Sequence, residues 1–426
     1  MDEERPFLFS AATSWLSVIA IGLISTLAFA QDNAELKAVT TGNMAFGSDL
    51  YDVLRKSSKD NLIVSPISVA TVMAMLQAGA RGKTAEAIRK TMKFPEDDQL
   101  NKGYQALLQL MKSDDSFTLE MANRIYPAEG FKLNGDFANT LKTYFAADPQ
   151  QLNYKQPETA ARTINDFVSA STHDRIKDLI GPSDLDDLTR LVLVNAIYFK
   201  GTWKNQFPKD DTTKMDFYVS ENDTIKVDMM RLETEMSYGE NRELDAKIVA
   251  LPYKGDRLSM VILLPNKRTG LAEMEDKLKN IPLEQILDGL RERKVQLFLP
   301  KFKLESTIDL KEPLTALGAG DIFSDNADLS GISQDGKEQL YVSKAVQKAF
   351  IEVNEEGSEA AGKIIRKRSL DESPRVIVDH SCIYGIVSTK SLVDNASRDI
   401  DNALLFYGRL LQPQPIVSKD NIRDEL

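Results

Sequence analysis

The chain has 426 residues, 42% hydrophobic and 27% charged, an ordinary globular composition that excludes disordered and collagen-like classes. A formal net charge of −11 argues against nucleic acid as the partner, because coating phosphates needs a positive surface. One cysteine, Cys382, excludes an intramolecular disulfide and a multi-cysteine metal site, and two histidines, His173 and His380, leave triad chemistry almost nothing to use.

In chain order, residues 16–29 form an uncharged apolar run that ends Ala28-Phe29-Ala30. It is shorter than the ~20 residues of a membrane span and closes on a small-x-small cleavage pattern, so residues 1–30 read as a secretory signal peptide. The acidic start Asp2-Glu3-Glu4 departs from the usual positive leader, and an uncleaved anchor is the alternative. Residues 36–55 carry Met44, Phe46, Leu50, Val53 and Leu54 at helical spacing; residues 66–80 continue with Val69, Val72, Met73 and Leu76, and 158–180 reads as a third amphipathic helix. Strand signals follow. Residues 191–194 and 261–264 are continuous apolar runs, as in strands buried on both faces, and 295–299 and 349–353 are further strands broken at Pro300 and Gly357. Helices first and many strands after predict one large α+β domain.

After Val353 the sequence turns small and polar: Glu355, Glu356, Gly357, Ser358, Glu359, Ala360, Ala361 and Gly362. Ser358, Ala360, Gly362 and Ile364 alternate at period two and can share one face of an added strand. The basic run Arg366-Lys367-Arg368 invites a protease that cleaves after cations. A cleavable loop able to become a strand is the signature of a spring-loaded trap. Beyond it, residues 412–415 read as an extended tail leading to Arg423, Asp424, Glu425 and Leu426, one substitution from the address that returns proteins to the endoplasmic reticulum through a receptor. Asn222 and Asn395 begin glycosylation acceptor patterns suited to the same compartment. No Gly-x-Ser-x-Gly elbow, Walker loop or His-Glu-x-x-His helix is present, so neither an enzyme nor a cofactor or metal protein is expected.

Over roughly residues 38–413 the chain resembles the serpins, the inhibitory type found in the secretory pathway, insect serpins among them. The resemblance rests on Asn61-Leu62-Ile63-Val64-Ser65-Pro66-Ile67-Ser68, on residues 193–203 from Leu193 to Trp203, on Ala327-Asp328-Leu329-Ser330-Gly331, on Leu404-Leu405-Phe406-Tyr407-Gly408-Arg409 and on the hinge that opens at Glu355. It implies three β-sheets and about nine helices, with a reactive loop at about 355–374 held above a monomeric body. It also implies suicide inhibition of a serine protease: the target attacks the loop, an acyl-enzyme forms, and the cut loop inserts as a new strand. By the same resemblance Ser65, Ser68 and Asn195 line the zone where the sheet opens, with Gln347 standing in for a histidine. Trp203, Lys301 and Glu355 lie at the top, Lys301 and Glu355 as an ion pair.

Departures from the family pattern bear on function. Lys363 interrupts the small hinge, Ser381-Cys382 replaces the usual Pro-Phe, and the stretch before Leu404 is long. If Ser358 faces inward so do Arg366 and Arg368, whose burial is costly. Arg368–Ser369 has the best chemistry for a trypsin-like or dibasic proprotein-convertase target. Serpin spacing instead points roughly sixteen residues past Glu355, to Asp371, which keeps Leu370–Asp371 open as the reactive bond. The competing reading is a non-inhibitory serpin, a chaperone or carrier whose loop is only a substrate; release of a signalling peptide is a third.

Overall fold

The computed structural model describes residues 11–130, 132–336, 339–356, 373–388 and 402–414, with side chains from Ala34 onward. The hinge from Gly357, the bonds at Arg368, Ser369, Leu370 and Asp371, the acceptor Asn395 and the carboxyl-terminal Arg423 to Leu426 lie outside the described residues.

Helices come first, as Ala11–Ser57, Pro66–Gly79, Gly82–Met92 and Asp97–Leu110 precede the first long strand, Phe117–Pro127. Nine α-helices and thirteen strands make up the described residues, an α+β architecture. Among these helices none is long and apolar enough to cross a membrane. Among the described residues the strands pair into two continuous sheets where three were expected. The larger one runs Leu62–Val64, Leu404–Leu410, Cys382–Ser388, Leu258–Pro265, Ala246–Pro252, Thr224–Asn241, Arg291–Pro300 and Arg375–Ile377, with Thr213–Tyr218 added to Thr224–Asn241. Two of the expected sheets merge because the 18-residue strand Thr224–Asn241 serves both limbs: it pairs Arg291–Pro300 along Met229 to Tyr238 and Ala246–Pro252 from Ser237 to Asn241.

The smaller sheet positions the site. Its order is Phe117–Pro127, Leu191–Gly201, Lys344–Val353 and Phe302–Asp309. The two outer pairings are antiparallel, while the central pair, Leu191–Gly201 with Lys344–Val353, is parallel from Val192 opposite Lys344 to Phe199 opposite Ile351. Both central strands are buried on both faces. Leu191, Leu193, Ile197 and Phe199 join the main core, whereas Val192, Val194, Ala196 and Tyr198 form a second core with Ala160, Ile164 and Val168 of helix Pro157–Ser171. Period-two alternation thus assigns each parity to its own layer.

The expected helix over 158–180 ends at Ser171. Thr172 stops it: its hydroxyl donates to Val168 O at 2.8 Å and accepts from Ile176 N, and His173, Asp174 and Asp178 take left-handed backbone angles of 49°, 59° and 52°. The apolar spacing continues because Ile176, Leu179 and Ile180 still pack on the second core, as an irregular strap.

Candidate functional site

The helix Pro66–Gly79 is buried all round because it lies between the two sheets. Ser65 caps it, its hydroxyl accepting from Ser68 N at 3.4 Å while donating to Leu405 O of the larger sheet at 2.6 Å. On the facing sheet, Asn123, Asn195 and Gln347 stand in one register row across three adjacent strands. Their side chains meet. Gln347 Nε2 donates to Asn195 Oδ1 and to Ser65 O at 3.0 Å, and Gln347 Oε1 accepts from Ser65 N at 2.9 Å. Asn195 Nδ2 donates to Ser68 Oγ and to Asn123 Oδ1, and Ser68 Oγ donates to the same Asn123 oxygen at 3.2 Å. Ser65, Ser68, Asn195 and Gln347 are each fully buried. Neutral amides and hydroxyls, each both donor and acceptor, therefore span the parallel seam from the helix below it. Gln347 satisfies three partners.

At the upper end, the strand Lys344–Val353 leaves the sheet through Asn354 and Glu355. Trp203 Nε1 donates to Asn354 O at 2.9 Å, and the indole stacks on Tyr253 at 4.4 Å with Phe207 edge-on. Gly201 is needed here, since a β-carbon would sit 2.4 Å from the Tyr253 ring. Glu355 is buried. One carboxylate oxygen pairs with Lys301 Nζ at 2.8 Å and the other accepts from Thr212 Oγ1 at 2.8 Å. Burial opposes the charge on Glu355, but Lys301, the residue's own backbone N–H and Thr212 outweigh it and hold the carboxyl below its ordinary range. Glu356 is exposed; Lys209 Nζ, 2.8 Å away, lowers its pKa in turn.

The scarce residues stay apart from this site. His380 is buried between Asp379 Oδ1 at 2.7 Å and Pro265 O at 2.8 Å, and His173 is exposed near Glu120. Burial pushes the Cys382 thiol up to about 12, which keeps it protonated and unreactive. Asn222 is exposed in the turn between strands Thr213–Tyr218 and Thr224–Asn241. Among the described residues no group of His, Cys, Asp or Glu is arranged to hold a metal. Asn123 is the member of the amide row that sequence reading missed. Only its register opposite Asn195 reveals it.

The chain leaves the smaller sheet at Glu355, and neutral amides close the parallel seam between Leu191–Gly201 and Lys344–Val353; comparison with known proteins gives the class. The family model described as Serpin (serine protease inhibitor) matches residues 41–413, and the chain belongs to that family. It is 36% identical to antitrypsin of Bombyx mori over 347 residues, 81% of this chain and 88% of that protein. To neuroserpin of Homo sapiens it is 34% identical over 394 residues, covering 89% and 92%. Serpin48 of the insect Tenebrio molitor has a similar structure, with TM-score 0.78 and 34% identity over 89% of this chain and 99% of that one.

Proposed function

We propose that the chain is a suicide-substrate inhibitor of trypsin-like serine proteases. The observation that carries the reading is the parallel pair at the centre of the smaller sheet. A loop returning from Glu355 between these strands runs antiparallel to both, so one slightly weaker parallel ladder gives way to two antiparallel ones. The amide row favours such an exchange, since Asn195 and Gln347 can re-pair across a new strand without leaving a buried charge.

In the reaction the target's serine oxygen attacks the carbonyl carbon of Arg368, the bond to Ser369 breaks, and the amine leaves. An ester then joins protease and inhibitor. Insertion carries that ester away from the top before water reaches it. Arg368, preceded by Lys367, suits the acidic primary pocket of trypsin-like enzymes and dibasic proprotein convertases; Ile365 stands where furin-like enzymes favour arginine, so furin is trapped slowly. Residues 1–30 as a signal peptide and Arg423 to Leu426 as a retrieval address place the meeting inside the secretory pathway, with Asn222 and Asn395 as glycan acceptors.

The test is incubation with trypsin and with a dibasic convertase, followed by denaturing electrophoresis and mass spectrometry of the released fragment. An adduct that survives denaturant, opened after Arg368, is expected. Arg368→Ala should abolish it and Leu370→Ala leave it intact. The reverse pattern moves the reactive bond to Leu370–Asp371. Clean cleavage without an adduct favours the non-inhibitory reading, to which Lys363 in the hinge would then belong.

A further inference from the structure

The lower end of the seam carries an exposed turn that the inhibitory chemistry above does not use. Residues 186–190 are held rigidly. Asp186 Oδ1 accepts from Leu188 N at 3.0 Å and from Thr189 Oγ1 at 2.9 Å, and Arg190 Nη1 donates to Asp187 O at 3.0 Å. The turn runs directly into Leu191–Gly201 and is tied to the segment just before Lys344–Val353, since Arg190 N donates to Ser343 Oγ and Tyr341 Oη to Leu188 O. What it displays is unusual for this molecule. Leu188 is 61% exposed, the large apolar side chain that the described residues leave in solvent, and Asp184, Asp186 and Asp187 around it are exposed. A single surface leucine ordinarily needs no explanation. This one is fixed on a rigid turn at a mechanistically special place.

That place follows from strand length. Lys344–Val353 has 10 residues, so a strand returning antiparallel from Glu355 passes it in about ten residues, or ~33 Å. The next few residues come level with Ser343 and Tyr341, beside the turn. Whether the ester is carried by Arg368 or by Leu370, it arrives at that level.

We infer that the turn 186–190 is the docking surface for the trapped protease, with Leu188 covering apolar side chains on the enzyme and Asp186 and Asp187 facing basic groups, Asp184 being held by Lys344. A protease pulled against the end of the sheet and loosened exposes apolar surface, which a preorganised leucine can cover at little entropic cost. The contact slows escape. In escape, water hydrolyses the ester, giving free protease with its serine restored and a cleaved inhibitor ending in a carboxylate. The inference rests on the inhibitory reading.

The experiment prepares trypsin adducts of the parent chain, of Leu188→Ser and of Asp187→Lys, and follows the return of trypsin activity with time. Leu188→Ser should leave the rate of adduct formation unchanged and speed release about tenfold, the scale set by losing part of a leucine's burial. Asp187→Lys should speed release at low salt and less at high salt. Adducts that form normally and release trypsin at the parent rate in both variants would overturn the docking surface while leaving inhibition in place. Failure of the parent to form any adduct would overturn inhibition, and this inference with it.

Discussion

The seam is closed in two places by opposite chemistry. Midway along it, Asn123, Asn195, Gln347, Ser65 and Ser68 make a neutral hydrogen-bonded row with no titratable member. At the top, Glu355 and Lys301 make an ion pair with Lys301 27% exposed, and Glu356 and Lys209 make a second one wholly at the surface. A buried amide row depends on geometry and is indifferent to salt and, over the ordinary range, to pH. An ion pair near solvent is screened and titrates. In the inhibitory reading we propose, the middle sets whether the strands stay together, and the top sets how readily the loop's first residues leave.

The largest effect is expected for Gln347→Ala. It strips partners from Ser65 N, Ser65 O and Asn195 Oδ1 in a dry site, and each such loss costs about 1–3 kcal/mol before relaxation. A total loss of about 3–5 kcal/mol is expected in denaturant unfolding, independent of salt. Lys301→Ala comes next, at about 1–2 kcal/mol once solvent screening is allowed for. Because the folded-state pKa of Glu355 is lowered, its contribution is complete above the ordinary glutamate range near ~4.3 and is lost as pH falls through the lowered value. The Lys301→Ala penalty should thus be constant from pH 5 to 8 and shrink in stronger acid.

Gln347→His sharpens the contrast further. A buried imidazole has its pKa depressed, so the variant's stability should rise with pH through about 6.5, by up to about 1 kcal/mol, where the parent's seam contributes no slope. The smallest effect is expected for Lys209→Ala. Its partner Glu356 is exposed, and no measurable change in unfolding should follow.

Much of this was readable before any coordinates. The continuous apolar runs at 191–194 and 261–264 announced strands buried on both faces, 349–353 announced a further strand, and the motifs around Ser65, Asn195, Trp203 and Glu355 marked the seam and its top. What was missed depended on partners distant in sequence. Asn123 looks like a solvent-facing residue in Phe117–Pro127 until register sets it opposite Asn195, 72 residues later. Residues 172–180 kept a helical apolar rhythm because the strap packs on the same core, and the rhythm cannot reveal that Thr172 has closed the helix. Nor does sequence show that Thr224–Asn241 is long enough to fuse two sheets into one. Local patterns identified which residues are buried; only pairing decided which of them meet.

In the proposed mechanism the seam opens to take the loop as a new strand. Thermal unfolding of the chain before and after limited cleavage within residues 363–371 tests it most directly. If the cut loop enters between Leu191–Gly201 and Lys344–Val353, two antiparallel ladders replace one parallel ladder, and the cleaved protein should melt more than about 10 °C above the intact one, several kcal/mol for a chain of this size. A cleaved protein that melts at or below the temperature of the intact chain would rule out insertion of the loop into the seam.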